Sequence, residues 1–172
     1  MTDYKLANSL ANDALELWGS GQLAEAADRY GRAIAICPTY PDWHGAYAGV
    51  LHQLGRNEEA TREYETVLTL ELEQGAAETN PAVKVARYFL ADHLRRNGEP
   101  AKALAVLAPA QGAFPGDWLI ATARALAPFA VGEIAEAKAV AQQAIGNAET
   151  ESKKAELAEH LSEVLGGKVG EH

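Results

Sequence analysis

The residues that could act as a nucleophile or hold a phosphate occur without the sequence context that either chemistry requires. The segment "WGSGQ" at residues 18–22 places a serine between glycines, but a nucleophile elbow has the order G-x-S-x-G at a strand-to-helix turn. The segment "GGKVG" at residues 166–170 lacks the Ser or Thr and the glycine spacing of a phosphate-binding loop. The sequence therefore predicts no catalytic residue and no enzyme activity.

The histidines are spaced in a way that does not favour a metal site. His44 and His52 are eight residues apart on one predicted helix, too far for one metal, and no HExxH motif occurs. His93 follows Asp92, and neighbours in sequence on a helix point in different directions. We predict that each histidine lies on a helix surface or in a groove, and that the protein holds no metal and no cofactor.

The composition excludes several classes of partner. The chain has 172 residues, a formal net charge of −9 and a pI near 5.0, which argues against binding nucleic acid or an acidic membrane surface. Cys37 is the only cysteine, so no intrachain disulfide forms, and we predict a buried or inert thiol. No segment resembles a secretory signal or reaches the about 20 apolar residues of a membrane span. We expect a cytoplasmic protein.

A glycine followed five residues later by an alanine recurs four times along the chain. The glycines are 34, 43 and 34 residues apart: Gly21, Gly55, Gly98 and Gly132. Apolar residues before and after each glycine follow the period of 3.6 that is typical of amphipathic helices. The pattern predicts four helical hairpins and one further helix, with helices at residues 4–18, 23–36, 43–54, 58–73, 83–96, 100–111, 118–127, 134–148 and 151–165.

The interval of 43 residues contains nine extra residues around residues 75–83. Asn80 and Pro81 are typical of an N-cap and the first turn of a helix. We predict that both flanking helices are longer by about one turn and that the loop 75–80 projects. Its role stays open.

These offsets resemble the tetratricopeptide repeat, a 34-residue unit of two antiparallel helices. With units starting at Ala7, Pro41, Lys84 and Trp118, positions 8 and 20 are alanine in every unit: Ala14, Ala48, Ala91, Ala125, Ala26, Ala60, Ala103 and Ala137. In this family the two helices of a unit cross closely at those positions, where a larger side chain would separate them. Pro128 departs from the pattern, and we expect the helix before it to kink or to stop a turn early.

The resemblance implies an all-α, right-handed superhelical solenoid. It would form a single domain over residues 1–167, with repeats at about 7–40, 41–74, 84–117 and 118–149, a capping helix at about 150–165 and a flexible tail at 168–172.

The resemblance also implies a concave groove that is lined by the first helix of each unit and binds a peptide. The groove positions predict the following partner-binding residues: Asn8, Ala11, Leu15, Trp18, Asp42, Gly45, Gly49, His52, Tyr88, Asp92, Arg95 and Arg96, with Val85, Leu119, Thr122, Leu126 and Phe129 at further groove positions. We expect Tyr88, Trp18 and His52 to be anchors, with Arg95 and Arg96 supplying charge.

Two features of the predicted groove each have two interpretations. Gly45 and Gly49, one turn apart inside a helix, form either a notch that admits a partner or a site filled by Tyr88 or Phe89 of a neighbouring helix. Residues 84–102 hold a local charge of +3, which either steers an acidic partner or is an ordinary solvated helix face.

The sequence thus predicts a non-catalytic protein-interaction module that binds a peptide or helix of a partner protein. The alternative is a structural subunit of a larger assembly, or a self-associating scaffold or chaperone-like adaptor, which could form a homodimer. Trp43, Trp118 or the inserted loop would then be buried in the assembly.

Overall fold

The described part of the chain is entirely helical. The computed structural model describes residues 2–74, 79–114, 117–129, 134–148 and 150–166, and these contain nine α-helices and no strand. The helices are α1 (Thr2–Gly19), α2 (Leu23–Ile36), α3 (Pro41–Gln53), α4 (Asn57–Glu73), α5 (Pro81–Arg96), α6 (Pro100–Ala113), α7 (Trp118–Phe129), α8 (Ile134–Gly146) and α9 (Glu151–Val164). The all-α prediction is confirmed.

The helices pair into hairpins within two compact units. The first unit, Met1–Gly75, contains the hairpins α1–α2 and α3–α4, and α3 also packs on α2. The second unit, Ala76–His172, contains the hairpins α5–α6 and α7–α8, followed by α9, which packs on α8 and α7. In both units consecutive first helices, α1 and α3 or α5 and α7, are neighbours. The prediction of a single domain over residues 1–167 stays a prediction.

The eight alanines of the repeat pattern are all buried. Their exposed fractions are 0% or 1%: Ala14, Ala48, Ala91, Ala125, Ala26, Ala60, Ala103 and Ala137. An alanine at the crossing point lets two helix backbones approach closely, and interiors this dense leave no room for a longer side chain. The four hairpins are therefore built as the sequence pattern predicts.

The hairpin turns use glycine for its backbone freedom. Gly21, Gly55 and Gly98 have φ angles of 80°, 74° and 78°. Each ends a helix with the same pair of bonds; at the first turn the Gln22 N–H donates to the Leu17 carbonyl at 2.9 Å and the Gly21 N–H donates to the Trp18 carbonyl at 3.0 Å. Gly132, the predicted turn of the fourth hairpin, lies outside the described residues.

The insertion lengthens its flanking helices. Helix α4 has 17 residues against 14 in α2, and α5 has 16 against 13 in α3. Helix α5 begins at Pro81, and the Asn80 side chain accepts a hydrogen bond from the Ala82 N–H at 2.8 Å. The predicted lengthening and the predicted N-cap are confirmed. The predicted projecting loop falls largely on residues 75–78, outside the described residues.

Helix α7 does not stop a turn early at Pro128, so that part of the expectation is wrong, while the expected kink stays a prediction. The helix continues through Pro128 to Phe129, and the Pro128 side chain is fully buried. A proline this close to the C-terminal end removes a single helical hydrogen bond, and burial of its ring offsets that loss. The predicted tail, residues 168–172, lies outside the described residues.

Candidate interaction site

The predicted groove residues of the first unit differ widely in exposure. Leu15 of α1 is 57% exposed, whereas Ala11 on the same helix is 4% exposed and is part of the core. Asp42 is exposed, and the remaining predicted residues are half-buried: Asn8, Trp18, Gly45, Gly49 and His52. Leu15 is thus the large apolar side chain that the first unit presents to solvent at a groove position.

The helix-interior glycines of α3 face two different neighbours. A β-carbon at Gly49 would lie 2.9 Å from Cη2 and 3.2 Å from Cζ2 of Trp18. At Gly45 the nearest atom would be Cγ2 of Val67 at 3.8 Å. The predicted notch is therefore filled from within the first unit, by Trp18 rather than by Tyr88 or Phe89.

Trp18 is held in place on both sides of its indole. The ring packs on Gly49, and Nε1–H donates to Oε1 of Gln53 at 3.1 Å. Gln53 lies one helical turn after Gly49 on α3, so one helix supplies both contacts. A partner would meet this ring already oriented.

Two histidines are buried, which corrects the prediction that each lies on a helix surface or in a groove. His44 is 4% exposed and His93 is 3% exposed. His93 Nε2 and Nδ2 of Asn97 lie 2.9 Å apart. A buried imidazole needs polar partners, and these come from residues that periodicity alone does not identify.

His44 joins three segments of the first unit. Its Nδ1 lies 2.6 Å from Oε2 of Glu63 on α4, and its Nε2 lies 2.8 Å from the carbonyl oxygen of Pro38. Burial alone lowers the pKa of His44, but the hydrogen bonds to Glu63 and Pro38 and the charge of Glu63 outweigh it and raise the pKa above its ordinary value. Both ring nitrogens face acceptors, so the imidazolium form, with two donors, satisfies both.

The second unit presents an apolar pair on α5. Val85 is 39% exposed and Phe89, one turn later, is 50% exposed. Tyr88 is half-buried, and its ring lies edge-on to that of Phe89 with centroids 5.4 Å apart. On α7, Thr122 is 7% exposed and Leu119 and Leu126 are half-buried, while the side chain of Phe129 lies outside the described part.

The basic side chains of residues 84–102 form ion pairs and hydrogen bonds within the second unit. This favours the interpretation that they belong to an ordinary solvated helix face. Arg95 Nη2 lies 2.6 Å from Oδ1 of Asp92, and Arg96 Nε lies 2.8 Å from Oδ2 of the same carboxylate. Lys84 Nζ lies 2.6 Å from Oδ2 of Asp117. The other two basic residues are also held: Lys102 pairs with Glu99, and the buried Arg87 donates to the Val106 carbonyl at 2.9 Å.

One aromatic cluster was missed by the sequence analysis. Tyr4, Tyr40 and Trp43 form a cluster with ring centroids 4.5 to 6.2 Å apart. Trp43 is 7% exposed, so it is already buried in its own unit, whereas Trp118 is 58% exposed. The pairing of α1 with α3 that the repeat implies would have brought Tyr4 near Trp43.

The described residues show no arrangement typical of a metal centre or a membrane span. No group of three or more His, Cys, Asp or Glu side chains within them is placed to hold a metal ion. None of their helices combines the length and apolar character that crossing a bilayer requires. Cys37 is a half-buried free thiol.

Comparison with known proteins identifies the repeat. Residues 17–71 match a family model described as Tetratricopeptide repeat. No curated protein matches the chain in sequence.

Solved structures similar to this chain share its fold at low sequence identity. MamA 41-end from Desulfovibrio magneticus RS-1 is 19% identical, with a TM-score of 0.64 over 91% of this chain and 81% of that chain. The Podosopora anserina putative kinesin light chain nearly identical TPR-like repeats are 18% identical, with a TM-score of 0.69 over 95% and 88%. TTC0263, a thermophilic TPR protein of Thermus thermophilus, is 21% identical, with a TM-score of 0.57 over 93% and 83%. The predicted fold is confirmed, and the predicted resemblance to the tetratricopeptide repeat is confirmed over residues 17–71.

Proposed function

We propose that this chain binds a peptide segment or helix of a partner protein on the exposed faces of the first helices of its hairpins. Tetratricopeptide repeats are generally non-catalytic modules, and the fold supports a protein-interaction or scaffold role. A cytoplasmic location and the absence of nucleic-acid and membrane partners remain part of the proposal.

The observation that carries the proposal is the exposure of large apolar side chains at groove positions, Leu15 and Val85, and at Phe89, which lies beside the groove position Tyr88 on α5. Leu15 is 57% exposed, Phe89 50% and Val85 39%. Val85 and Phe89, one turn apart on α5, share one helix face, and exposed apolar patches of this kind are typical of interaction sites. Burial of the fraction that is still exposed would contribute about 1 to 1.5 kcal/mol for each side chain, roughly half the value for a fully exposed one.

Within each unit, the hairpins that carry these side chains are packed without a partner. Alanine crossings fix each hairpin, and Trp18 is fixed by Gly49 and Gln53. Because the surface is already ordered, most of the entropy lost on binding is lost by the peptide.

Self-association would cover the same apolar side chains and is the alternative that the test must separate. Light scattering coupled to size-exclusion chromatography measures the mass over a range of concentrations. A monomer at all concentrations leaves the faces available to a peptide. A stable dimer that dissociates on Leu15→Ser or Phe89→Ser would contradict peptide binding and support self-association.

Peptide binding is tested with matched pairs of variants. Twelve-residue peptides are selected from a random display library on the wild-type chain, synthesised with a fluorophore, and titrated by anisotropy. Phe89→Ser should weaken the selected peptides about tenfold or more. Ile134 on α8 is also 50% exposed, and Ile134→Ser should leave the affinity for these peptides unchanged.

The chain offers two further matched controls. Leu6 is 56% exposed and lies nine residues before Leu15, which places it on the opposite side of α1. Leu72 of α4 is 38% exposed and matches Val85. Equal losses for Leu15→Ser and Leu6→Ser, or for Val85→Ser and Leu72→Ser, would show that the loss reflects general apolarity and would contradict the proposed face.

A further inference from the structure

The second unit contains a pocket that the groove positions of the repeat do not include. Its volume is about 520 Å³, and it lies between the N-terminal end of α7 and one face of α9. Trp118 and Leu157 supply its apolar lining, and Glu156, Glu159 and Glu163 supply carboxylates. We call it the Trp118 pocket.

The aromatic wall of this pocket contacts His160 and is open to solvent. Trp118 is 58% exposed, and its ring meets that of His160 edge-on, with centroids 5.9 Å apart and planes at 87°. Asp117 anchors the start of α7, because its Oδ1 accepts hydrogen bonds from the Leu119 and Ile120 N–H groups at 3.1 and 3.2 Å. Leu157, 3% exposed, closes the floor from α9. An exposed indole face is a favourable surface for a cation.

The acidic side of the pocket comes from one helix face. Glu156, Glu159 and Glu163 follow the spacing of three and four residues that places side chains on the same side of a helix, and all three are exposed. Within the described ranges none of the three forms an ion pair. Lys153 also lines the pocket and has an interaction of its own. The lining therefore keeps a net negative charge.

We propose that the Trp118 pocket binds the cationic side chain of a lysine or arginine in the partner polypeptide. A cation over the face of a tryptophan is attracted by the ring quadrupole, and tryptophan is the best of the aromatic residues for this contact. The three carboxylates attract the same charge, and the buried Leu157 accommodates the aliphatic stem of a long basic side chain. Charge complementarity thus selects a basic partner segment over an acidic one.

This inference rests on the proposed function, because the cation belongs to a bound polypeptide. It adds a side-chain preference that the apolar faces on α1 and α5 do not imply. It also uses residues that the repeat pattern leaves aside: Trp118 stands at the first position of its unit, and the glutamates belong to the capping helix.

The test follows the indole N–H signals in a heteronuclear NMR titration. The chain has 3 tryptophans, and the Trp118 signal is assigned by its loss in Trp118→Leu. The probes are three capped peptides, acetyl-Gly-X-Gly-Gly-X-Gly-amide, in which X is lysine, norleucine or glutamate. The lysine peptide should shift the Trp118 signal in a saturable way, and the norleucine peptide should bind about five times more weakly or worse.

Variants of the pocket separate charge from shape. Glu159→Gln combined with Glu163→Gln should weaken the lysine peptide about three- to tenfold. Glu151→Gln on the same helix is the control, because Glu151 already pairs with Lys154 and lies outside the pocket, and it should change nothing. Circular dichroism checks that each variant is folded. Raising the salt concentration should weaken the lysine peptide by screening the exposed carboxylates.

Equal affinities for the three peptides, or a Trp118 signal that none of them shifts, would overturn the inference. A pocket occupied by a second copy of this chain, detected as a dimer that Trp118→Leu dissociates, would overturn it as well. The proposed function is tested separately, and it is contradicted when Phe89→Ser does not weaken the affinity for the library-selected peptides. Selected peptides that need Phe89, show no preference for basic residues and ignore Trp118→Leu would leave the function standing and remove only the inference.

Discussion

The indole of Trp18 lies directly on Gly49, so close that a β-carbon on residue 49 would approach Cη2 to 2.9 Å. Glycine inside a helix is unfavourable by about 1 kcal/mol relative to alanine. The contact explains why α3 tolerates that loss, since the space that a methyl group would take is filled by an aromatic ring. Gly45, one turn earlier, has no such neighbour.

The two glycines of α3 should therefore respond in opposite directions to the same substitution. Gly45→Ala should raise the free energy of unfolding by up to about 1 kcal/mol, because its nearest neighbour would be 3.8 Å away. Gly49→Ala should lower it by about 1 to 2 kcal/mol, because the ring must move and its bond to Gln53 is lost. Urea unfolding followed by circular dichroism measures both.

Repeating the Gly49→Ala substitution in a Trp18→Ala variant identifies the cause of the destabilisation. In Trp18→Ala the ring is gone, and Gly49→Ala should then be neutral or stabilising, which gives a coupling energy in a double-mutant cycle. Destabilisation by Gly49→Ala of the same size in both backgrounds would exclude the Trp18 contact as the reason for this glycine.

The ion pair of His44 and Glu63 should make stability depend on pH in the neutral range. The pKa of His44 is raised in the folded state, chiefly because hydrogen bonds to Glu63 and Pro38 outweigh the effect of burial. The ordinary value is about 6.5. Its contribution is therefore fully present below that pH and is lost as the pH rises through the folded pKa, by about 1.4 kcal/mol for each unit of difference.

Urea unfolding between about pH 6 and pH 9, together with an NMR titration of the His44 ring, tests this dependence. His44→Gln should abolish the part of the pH dependence that the wild type shows in this range. His160→Gln on α9 is the control, because its ring takes no part in the ion pair. A wild type that becomes more stable as the pH rises would contradict the protonated assignment.

Enlarging an alanine at a helix crossing should cost much more than enlarging an exposed alanine on the same helix. Ala103 of α6 is 1% exposed, whereas Ala105 on that helix is exposed. Ala103→Leu should lower the free energy of unfolding by about 1 to 3 kcal/mol or more, since the helices must separate. Ala105→Leu should stay within about 0.5 kcal/mol of the wild type. Similar losses at both positions would mean that the crossing is not tightly packed.

Asp117 should be sensitive to substitution because it has two separate partners. One carboxylate oxygen accepts hydrogen bonds from the first turn of α7, and the other pairs with Lys84 of α5 at 2.6 Å. Asp117→Asn keeps an acceptor for the helix but loses the ion pair, which should lower the free energy of unfolding by about 1 kcal/mol. Asp117→Ala loses both interactions, which should lower the free energy of unfolding by about 2 to 3 kcal/mol.

Thermal unfolding of the two Asp117 variants, with Lys84→Met as the third member of the series, separates the two contributions. In the Lys84→Met background Asp117→Asn should cost little more. Equal losses for Asn and Ala in the wild-type background would show that the N-cap contributes nothing.

The order and bounds of the helices followed from the chain alone. The alanines recur at fixed offsets from each glycine, and periodicity places them on the buried face of a helix whatever the rest of the chain does. Every predicted helix end lies within two residues of the observed one, including both helices beside the insertion. The error at Pro128 arose from a local rule that ignores position, since a proline in the last turn interrupts little.

The candidate site was predicted less completely, because its contacts join residues that are far apart in sequence. Periodicity marks Trp18 and Gly49 as members of one stripe but cannot say that the ring covers the glycine. It likewise treats Arg95 and Arg96 as free charge, although both pair with Asp92 on the same turn. The Trp118 pocket gave no repeat signal, because α9 stands outside the repeat.

By itself the sequence determined that the chain forms paired helices with small residues at each crossing, since helical period and glycine turns are local properties of the backbone. Tertiary structure alone decided which side chains remain available. Burial of His44 depends on acceptors 6 and 19 residues away, and exposure of Trp118 depends on how α9 packs. Such contacts are set by the distances between folded helices, and no local pattern encodes those distances.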